Sequence, residues 1–443
     1  MTSSLSLCDI EITSLDAEGH LIDLHETYSA VLRSPSVWEI HDGLKRQDAI
    51  KAVNDGIVSS TNYLYVSSKT DSNLVSTVFE YLQHRYTSPI GIMAFLTSGS
   101  MGAPKIVVHS VDSLIESASK MVHAYPELIN KRFHHLFPTT YVAGILNCII
   151  LPLVAHGSIF LDKEFNFSSP FNLAKNIAIA KSEVAWLSPA MIASISAMPK
   201  RFKPDQDNLT LILSATGPLT TEVRQRAEEI FGCRVLNTYG TSELLFISGE
   251  RFSDGDVTLG EPFRGIKVEY IQSSMHAIQE DPTVYELLVQ TNTKALQVLN
   301  FNKETMVLSP DASFNGETID TQDLVNLKNG FPMPAGRKDD VVVLGGINIS
   351  LGLIENNANT YPGLLESCAR ADFGMTSTSI QLFYEIAPES DGFNEEDFRS
   401  YLKEILPPES LPRRLQEVIF VRSANGKIQK NKIRIEGEGY IPK

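Results

Sequence analysis

Apolar positions alternate or recur along most of the chain, and their periods predict a succession of strands and helices. Residues 59–67 (SSTNYLYVS) alternate like a half-buried strand, and Leu74, Val78 and Leu82 within 72–84 recur at helical spacing. Residues 90–96 form a strongly apolar run and 105–109 a second β-type run, so both read as strands. Ser110 then stands as N-cap of a helix whose apolar face is Leu114, Ala118, Met121, Val122 and Tyr125. Further on, strands over 133–138, 158–161, 184–187, 209–214 and 234–236 alternate with helices over 171–180, 189–197 and 221–231. Such alternation predicts a largely parallel, helix-covered sheet, with ligand loops at the C-terminal ends of its strands.

From 257 to 300 the pattern changes to short strands (267–271, 285–290), as in a small β-rich subdomain. The Gly/Pro-rich segment 330–336 reads as the best domain boundary in the chain. Beyond it come strands over 341–344, 379–386 and 418–421, and a helix over 394–405 with Phe398, Tyr401, Leu402 and Ile405 on one face. The expected fold class is α/β. A large N-terminal domain (1–336) carries helix-covered, mostly parallel sheets plus the β-rich subdomain, and a small mobile α+β domain (337–443) acts as a lid.

Composition narrows the functional classes. With 43% hydrophobic and 21% charged residues the chain reads as an ordinary soluble globular protein. Its net charge of −15 argues against a nucleic-acid partner. Cys8, Cys148, Cys233 and Cys368 are scattered without CxxC spacing, which predicts inert thiols in a reducing, cytoplasmic compartment. No signal peptide is visible at the N-terminus, and the most membrane-like stretch, 141–161, is interrupted by Asn147, Pro152, His156 and Gly157. That stretch reads as a buried helix–strand unit, so no membrane partner is expected. Residues 1–88 name no chemistry.

Between the two β-type runs lies Thr97-Ser98-Gly99-Ser100-Met101-Gly102-Ala103-Pro104-Lys105. Glycines let backbone N–H groups approach an anion, hydroxyls donate to phosphate oxygens, and Lys105 adds a mobile positive charge. The spacing does not fit a Walker loop. Taken alone, the stretch also fits a polar hairpin turn. Two further polar segments, Ser214-Ala215-Thr216-Gly217 and Tyr239-Gly240-Thr241-Ser242-Glu243, fall at expected strand ends and point to a shared site.

Together these segments resemble the adenylate-forming superfamily of acyl- and aryl-CoA ligases, carrier-protein adenylation domains and luciferases. The resemblance covers about residues 90–434 and follows the family's order. Thr97 to Lys105 matches T-S-G-[ST]-T-G-x-P-K with Met101 at a threonine position, and Tyr239 to Glu243 matches Y-G-x-[TS]-E. Thr321-Gln322-Asp323-Leu324 matches T-G-D-L with one change, and Gly336-Arg337-Lys338-Asp339-Asp340 matches G-R-x-D-D. Gly345-Gly346-Ile347-Asn348-Ile349 resembles the G-G-x-N-I of CoA ligases, and Asn425-Gly426-Lys427-Ile428 matches N-G-K-I. Short o-succinylbenzoate–CoA ligases are similar in these loops, Ser100 and His109 included.

The resemblance implies ATP-dependent activation of a small carboxylic acid as an adenylate with loss of pyrophosphate, then transfer to the thiol of CoA. A carrier-protein phosphopantetheine or another nucleophile is the alternative acceptor, and a non-catalytic nucleotide- or acyl-binding homologue the remote one. Lys427 would bridge the carboxylate and the α-phosphate, where charge develops in the transition state. Glu243, beside Ser242, would hold Mg²⁺. Thr97, Ser98, Gly99, Ser100, Gly102 and Lys105 would grip the phosphates of ATP. Ala215, Thr216 and Gly217, with Asn237, Thr238, Tyr239, Gly240 and Thr241, would surround the adenylate, and Asp323 and Arg337 would hold the ribose. Asp339 corresponds to a hinge about which the lid turns, withdrawing Lys427 and presenting Gly345 and Gly346 to a thiol tunnel. Tyr141, Gly144, Ser188 and Leu244 would line the acid pocket.

The chain also departs from the family. Pro138-Thr139-Thr140-Tyr141-Val142-Ala143-Gly144 has Tyr141 where P-L-x-H-x-x-G has histidine, Val343 replaces a frequently basic residue, and about ninety residues precede the phosphate loop, which suggests a shortened N-terminal part. Residues 411–434 carry seven Lys/Arg against Glu417 alone. Such a patch suits CoA phosphates or an acidic carrier protein, and equally a solvated basic face. The acid and the oligomeric state (monomer or homodimer) are not legible at this level.

Overall fold

A computed structural model of the chain describes residues 11–15, 21–23, 38–41, 46–98, 104–163, 165, 171–196, 208–273, 283–302, 304–344, 347–373, 378–387, 392–423 and 426–433. One six-stranded sheet runs in the order Val307–Pro310, Gln297–Asn302, Pro104–Ser110, Ile92–Ser98, Asn62–Tyr65, Trp38–His41. The period-two pattern of its strands divides two cores. Tyr63, Tyr65, Met93 and Phe95 face the main core. Leu64, Ile92, Ala94, Ile106 and Val108 face the opposite way, against Leu74, Val78 and Leu82 of the helix Ser72–Arg85.

A nine-stranded sheet has the order Glu261–Pro262, Leu245–Gly249, Arg234–Thr241, Leu211–Ser214, Val184–Leu187, Arg132–His135, Ser158–Leu161, Ile12–Leu15, Leu21–Asp23. Its central strands are parallel, as the strand–helix alternation predicts. The helix Val111–Ala124, capped by Ser110 Oγ accepting from Ser113 N, buries Leu114, Ala118 and Met121 in the core shared with this sheet. Residues 141–161 form the buried unit expected: helical turns over Val142–Ile145, a π-helical stretch Leu146–Ile150, the helix Leu151–Val154 and the strand Ser158–Leu161. Among the described residues no helix is long and apolar enough to cross a membrane.

Three expectations shift. The strand expected over 133–138 ends at His135. The C-terminal strand is Arg414–Glu417 rather than 418–421, and pairs in parallel with Gln381 to Tyr384. The Gly/Pro-rich segment expected as a boundary is an edge strand, Phe331–Arg337, in the four-stranded sheet Lys267–Gln272, Val284–Gln290, Thr318–Lys328, Phe331–Arg337. An edge position tolerates Pro332 and Pro334, which cannot donate to a ladder. Asn329 and Gly330, both at positive φ (54° and 84°), make the two-residue hairpin turn between the last two strands. The connection to the small domain therefore falls at the 3-10 turn Lys338–Asp340, which contains Asp339.

The small domain packs the helices Leu351–Ala358 and Glu395–Ile405 on the strands Leu364–Phe373, Thr378–Ile386 and Arg414–Glu417. Its core, with Ile354, Leu382, Phe398 and Leu402, continues into Val284, Leu324 and Ala335 of the four-stranded sheet. The two domains approach backbone to backbone at Gly336 and Gly352: a Cβ on Gly336 would lie 2.6 Å from Ser350 Oγ, and one on Gly352 would lie 3.0 Å from Gly336 Cα. Larger residues at either position would push the domains apart.

Candidate functional site

Parallel register brings three chain exits to one sheet edge. Leu187 pairs with Ser214, and Ser214 pairs with Asn237. Ser188, Ala215 to Gly217, and Thr238 to Thr241 therefore emerge side by side. Thr238 Oγ1 donates to Ser214 O at 2.9 Å, tying two of these exits together. Thr216 sits at φ 80°, an unfavourable conformation for a residue with a Cβ, and its buried hydroxyl has no hydrogen-bond partner among the described residues. Gly240 is required by the fold, because a Cβ there would lie 2.2 Å from Leu245 O where the strand pairing shifts register. Gly144 is required in the same way, with Pro138 O 2.0 Å from its notional Cβ.

Asn237 is held from behind. Its backbone N–H donates to Glu250 Oε2 (2.8 Å) and its side-chain amide to Thr258 O (2.7 Å). Glu250 also receives Thr258 N and pairs with Arg224, which is buried on the helix Thr221–Phe231. Burial pushes the Glu250 pKa up, and the two backbone donors and Arg224 act against that.

A charged array crosses the domain connection. Asp323 pairs in register with Arg337 on the neighbouring strand, and Arg337 donates to Asp323 Oδ1 at 2.7 Å. The same guanidinium donates to both oxygens of Asp339, at 2.9 and 3.2 Å. Tyr239 Oη donates to Asp323 Oδ2 at 2.5 Å. Burial, then the Asp323 anion, hold Tyr239 well above the ordinary phenol range. Burial likewise raises Asp323, with Arg337 opposing. Gln322 occupies φ 65° at the glycine position of the T-G-D-L pattern, which explains why glycine suits that place.

Lys427 ends a tight turn in which Ser423 N donates to Lys427 O (2.8 Å) and Gly426, at φ 87°, donates to Ser423 O (2.9 Å). Arg422 roots the turn by pairing with both Glu366 and Glu385. The Lys427 residue as a whole is exposed, while protein crowds its ammonium. That crowding, and then the like charge of Arg337, push its pKa below that of a free lysine, and Asp323 and Glu243 pull it back. The small domain's lysine thus shares one electrostatic neighbourhood with Glu243, Asp323 and Arg337 of the large domain.

The phosphate-loop hairpin pairs Ile92–Ser98 with Pro104–Ser110, ending at Ser98 opposite Pro104. Gly99, Ser100, Met101, Gly102 and Ala103 lie outside the described residues, as do Gly345, Gly346 and Asn425. Thr97 is half-buried at the hairpin's mouth. The Lys105 ammonium pairs with Asp311 at 3.1 Å. The basic patch is also smaller than its sequence implies. Arg422 is spent on carboxylates, and Lys430 pairs with Asp340 and Glu355. Arg434 lies outside the described residues.

Sequence reasoning missed His109 as a support. Its Nε2 donates to Ser242 O at 2.8 Å, while Ala295 N donates to Glu243 O at 2.7 Å, so the backbone carrying Glu243 is held from two sides. Burial lowers His109 to about 4, which keeps the ring neutral, and the Ser242 carbonyl, which can only accept, sets the proton on Nε2. A histidine inside the apolar run 105–109 was the available signal. Also missed were Ser67 and Thr70, which join Leu74, Leu96, Thr97, Pro104, Thr140 and Tyr141 around a pocket of about 180 Å³ beside the hairpin. Ser188 Oγ accepts from Met191 N, and Leu244, buried, donates its N–H to Thr241 Oγ1. Among the described residues no three His, Cys, Asp or Glu side chains converge as a protein-built metal cage. Glu243 offers a single carboxylate, which fits a cation that takes its other ligands from phosphate and water.

The AMP-binding enzyme family matches residues 66–292. A benzoate–CoA ligase of Thauera aromatica is 27% identical over 352 residues, covering 76% of this chain and 64% of that one. A malonate–CoA ligase of Arabidopsis thaliana is 25% identical over 375 residues, covering 76% and 59%. The chain therefore spans less than two thirds of the length of these relatives. Among solved structures, an anthranilate–CoA ligase in complex with anthranoyl-AMP superposes with a TM-score of 0.75 at 15% identity, covering 97% of this chain and 93% of that one. The o-succinylbenzoate coenzyme A synthetase of Bacillus subtilis, in complex with ATP and magnesium ion, gives 0.72 at 16% identity, covering 96% of each. At such identities the superpositions establish the fold. The match over half of the chain, together with that fold, places the protein in its family: the chain belongs to the AMP-binding enzymes.

Proposed function

We propose that the protein activates a small carboxylic acid with ATP, forming an acyl- or aryl-adenylate and pyrophosphate, and then passes the acyl group to the thiol of CoA. The observation that supports this reading is that Lys427 of the small domain lies within electrostatic reach of Glu243, Asp323 and Arg337. Two anions, a carboxylate and the α-phosphate, must meet in the first step, and a lysine ammonium placed between them stabilises the charge that develops on the phosphate oxygens. In that step the carboxylate oxygen bonds to the α-phosphorus as the bond to the pyrophosphate oxygen breaks. In the second, the CoA sulfur, having lost its proton, bonds to the acyl carbon and AMP leaves.

The other residues take supporting parts. Asp323 and Arg337 hold the ribose hydroxyls as acceptor and donor, and Tyr239, fastened to Asp323, presents its ring face to adenine. Thr238, Gly240 and Thr241 surround the α-phosphate end, and Thr97 opens the hairpin that covers the outer phosphates. Glu243 would hold Mg²⁺, whose charge, when it is bound, neutralises phosphate oxygens. Transfer needs Lys427 to withdraw, and the short segment Lys338–Asp340 is the place for rotation. Rotation there exchanges the Asp339 contacts of Arg337 while leaving Asp323 within its own sheet.

The test is pyrophosphate release over a panel of aryl and aliphatic acids, followed by mass detection of the CoA thioester. Adenylate without thioester would move the acceptor to a carrier protein or an amine. No pyrophosphate with any acid would favour a nucleotide- or acyl-binding role without catalysis.

A further inference from the structure

Neighbouring residues in the connection between the domains are fastened to opposite sides. Lys338 is held to the large domain, its ammonium pairing with Glu286 at 2.6 Å and with Asp320 at 2.5 Å, both on the four-stranded sheet. Asp340, two residues on, is held to the small domain by Lys430, at 3.3 Å. The same Lys430 ammonium pairs at 3.1 Å with Glu355 on the helix Leu351–Ala358. Glu355 is itself fixed, since its Oε1 accepts from Ala369 N at 2.9 Å on the strand Leu364–Phe373. Ion pairs therefore assign Lys338 to one domain and Asp340 to the other, which concentrates rotation at Asp339 between them.

The clasp is also joined to the turn that carries Lys427. Lys430 N donates to Ile428 O at 3.1 Å, Gln429 N donates to Val421 O at 2.8 Å, and Ile428 bridges to Arg422 at the root of that turn. One side chain thus links the connection, at Asp340, to the backbone three residues beyond Lys427. Like charges make the link matter. Asp340 and Glu355 both lie against the Lys430 ammonium; burial raises the Glu355 pKa, Lys430 opposes the rise, and Asp340 adds to it. Without the cation the two carboxylates would repel, and Asp340 would come away from the helix.

We infer that Lys430 is a positioning residue for adenylate formation: by clasping Asp340 to Glu355 it confines the domain rotation to Asp339 and sets where the Lys427 ammonium arrives. Lys430 itself touches no reacting atom. The inference rests on the acid-activating reading and on the rotation proposed with it, and adds the group that fastens the moving side of the connection. With that side loose, the small domain closes in more than one orientation. A misplacement of about 1 Å at a group that stabilises developing charge costs up to about 10²-fold in rate.

The experiment measures the two half-reactions separately in the full chain, for wild type, Lys430→Met, Lys430→Arg, Asp340→Asn and the Asp340→Asn/Lys430→Met double variant. Lys430→Met should lower kcat for pyrophosphate release by about tenfold to a hundredfold, with KM for ATP within about twofold. Thioester formation from supplied acyl-adenylate and CoA does not use Lys427, and its loss should be smaller by at least about tenfold. Lys430→Arg, which keeps a cation between the carboxylates, should recover most of the first loss. Asp340→Asn makes the same comparison without a change in the small-domain core, and the double variant should be no slower than the slower single one, because both break one contact. Equal losses in the two halves, losses that multiply in the double variant, or a Lys430→Met indistinguishable from wild type would overturn the assignment. Hydrogen exchange gives a readout independent of turnover. Val341 N donates to Lys338 O across Asp339, and its exchange should quicken by at least about threefold in Lys430→Met. An unchanged rate would also overturn the assignment. Wild type that releases no pyrophosphate with any acid defeats the acid-activating reading itself, a result distinct from a pyrophosphate-releasing enzyme that Lys430→Met leaves unaffected.

Discussion

Segment 237–243 of the large domain and segment 422–430 of the small domain, whose Glu243 and Lys427 lie within electrostatic reach of each other, are fastened differently. In the large domain the backbone around Glu243 is fixed by His109 on one side and Ala295 on the other, and Asn237 is fixed by the buried Glu250–Arg224 pair. In the small domain Arg422 and Lys430 are committed to carboxylates of their own domain, which leaves Lys427, between them, as the outward charge. Lys427 and Lys430 stand three residues apart and do opposite work: one anchors the turn, the other is presented. The large-domain half is thus tied down from behind, and the small-domain half is a turn tied within its own domain, which the proposed two-step reaction would move as a unit. Arg337, which pairs with Asp323 and Asp339 at once, is one contact that the proposed rotation would exchange, together with the core that the small domain shares with Val284, Leu324 and Ala335.

Several substitutions would break or sharpen this contrast. Glu243→Gln, acting at the proposed metal position of the large-domain half, should lower pyrophosphate release by about 10²–10³-fold and raise the Mg²⁺ concentration needed for half-activation, with the thermal midpoint unchanged. A matching fall in thermal stability would mean that Glu243 belongs to the scaffold. Glu250→Ala leaves Arg224 buried without its carboxylate, so stability should drop by about 3–5 kcal/mol, read by denaturant unfolding. An unchanged midpoint would show that the large-domain half does not depend on the pair.

His109 gives a pH signature. The folded chain keeps it neutral down to about 4, whereas an unfolded histidine takes up a proton near 6.5. The unfolded state therefore binds more protons in that window, and stability should fall as pH drops from 6.5 toward 4. His109→Gln, which keeps a donor for Ser242 O, should flatten that slope by up to about one proton in unfolding curves measured across pH. An identical slope would remove His109 from the acid response. The smallest effect belongs to Gln322→Gly. Relief of the positive φ is worth about 1–2 kcal/mol, and the added chain entropy offsets about 0.5–1 kcal/mol of it. The net shift should be within about 1 kcal/mol in thermal unfolding, with KM for ATP unaltered.

Much of the large-domain half was legible in sequence, because a parallel strand reads as a short apolar run and its end as a polar, glycine-bearing segment. The segments around Ser214, Tyr239, Asp323 and Arg337 do converge, as their resemblance to the family implies. The misses have physical causes. Lys105 lies 206 residues from Asp311, and no local pattern announces an ion pair between a strand residue and the N-cap of a 3-10 turn that follows a strand two places away in the sheet. The same holds for Arg422 and Lys430, whose charge counted toward a surface patch until their partners came into view. Asn329-Gly330 was a readable hairpin signal, masked by the prolines that follow it and by the appeal of a Gly/Pro-rich boundary. Ser67 and Thr70 carry no chemistry of their own and acquire a role only from the pocket that they border.

The central claim is that Lys427 serves the first half-reaction alone. It is tested most directly by measuring the two halves separately in Lys427→Ala: pyrophosphate release from ATP and acid, and thioester formation from supplied acyl-adenylate and CoA. The account predicts a loss of about 10²–10³-fold or more in the first and a second within about twofold of wild type. Equal losses in both halves, or an unimpaired first half, would contradict it.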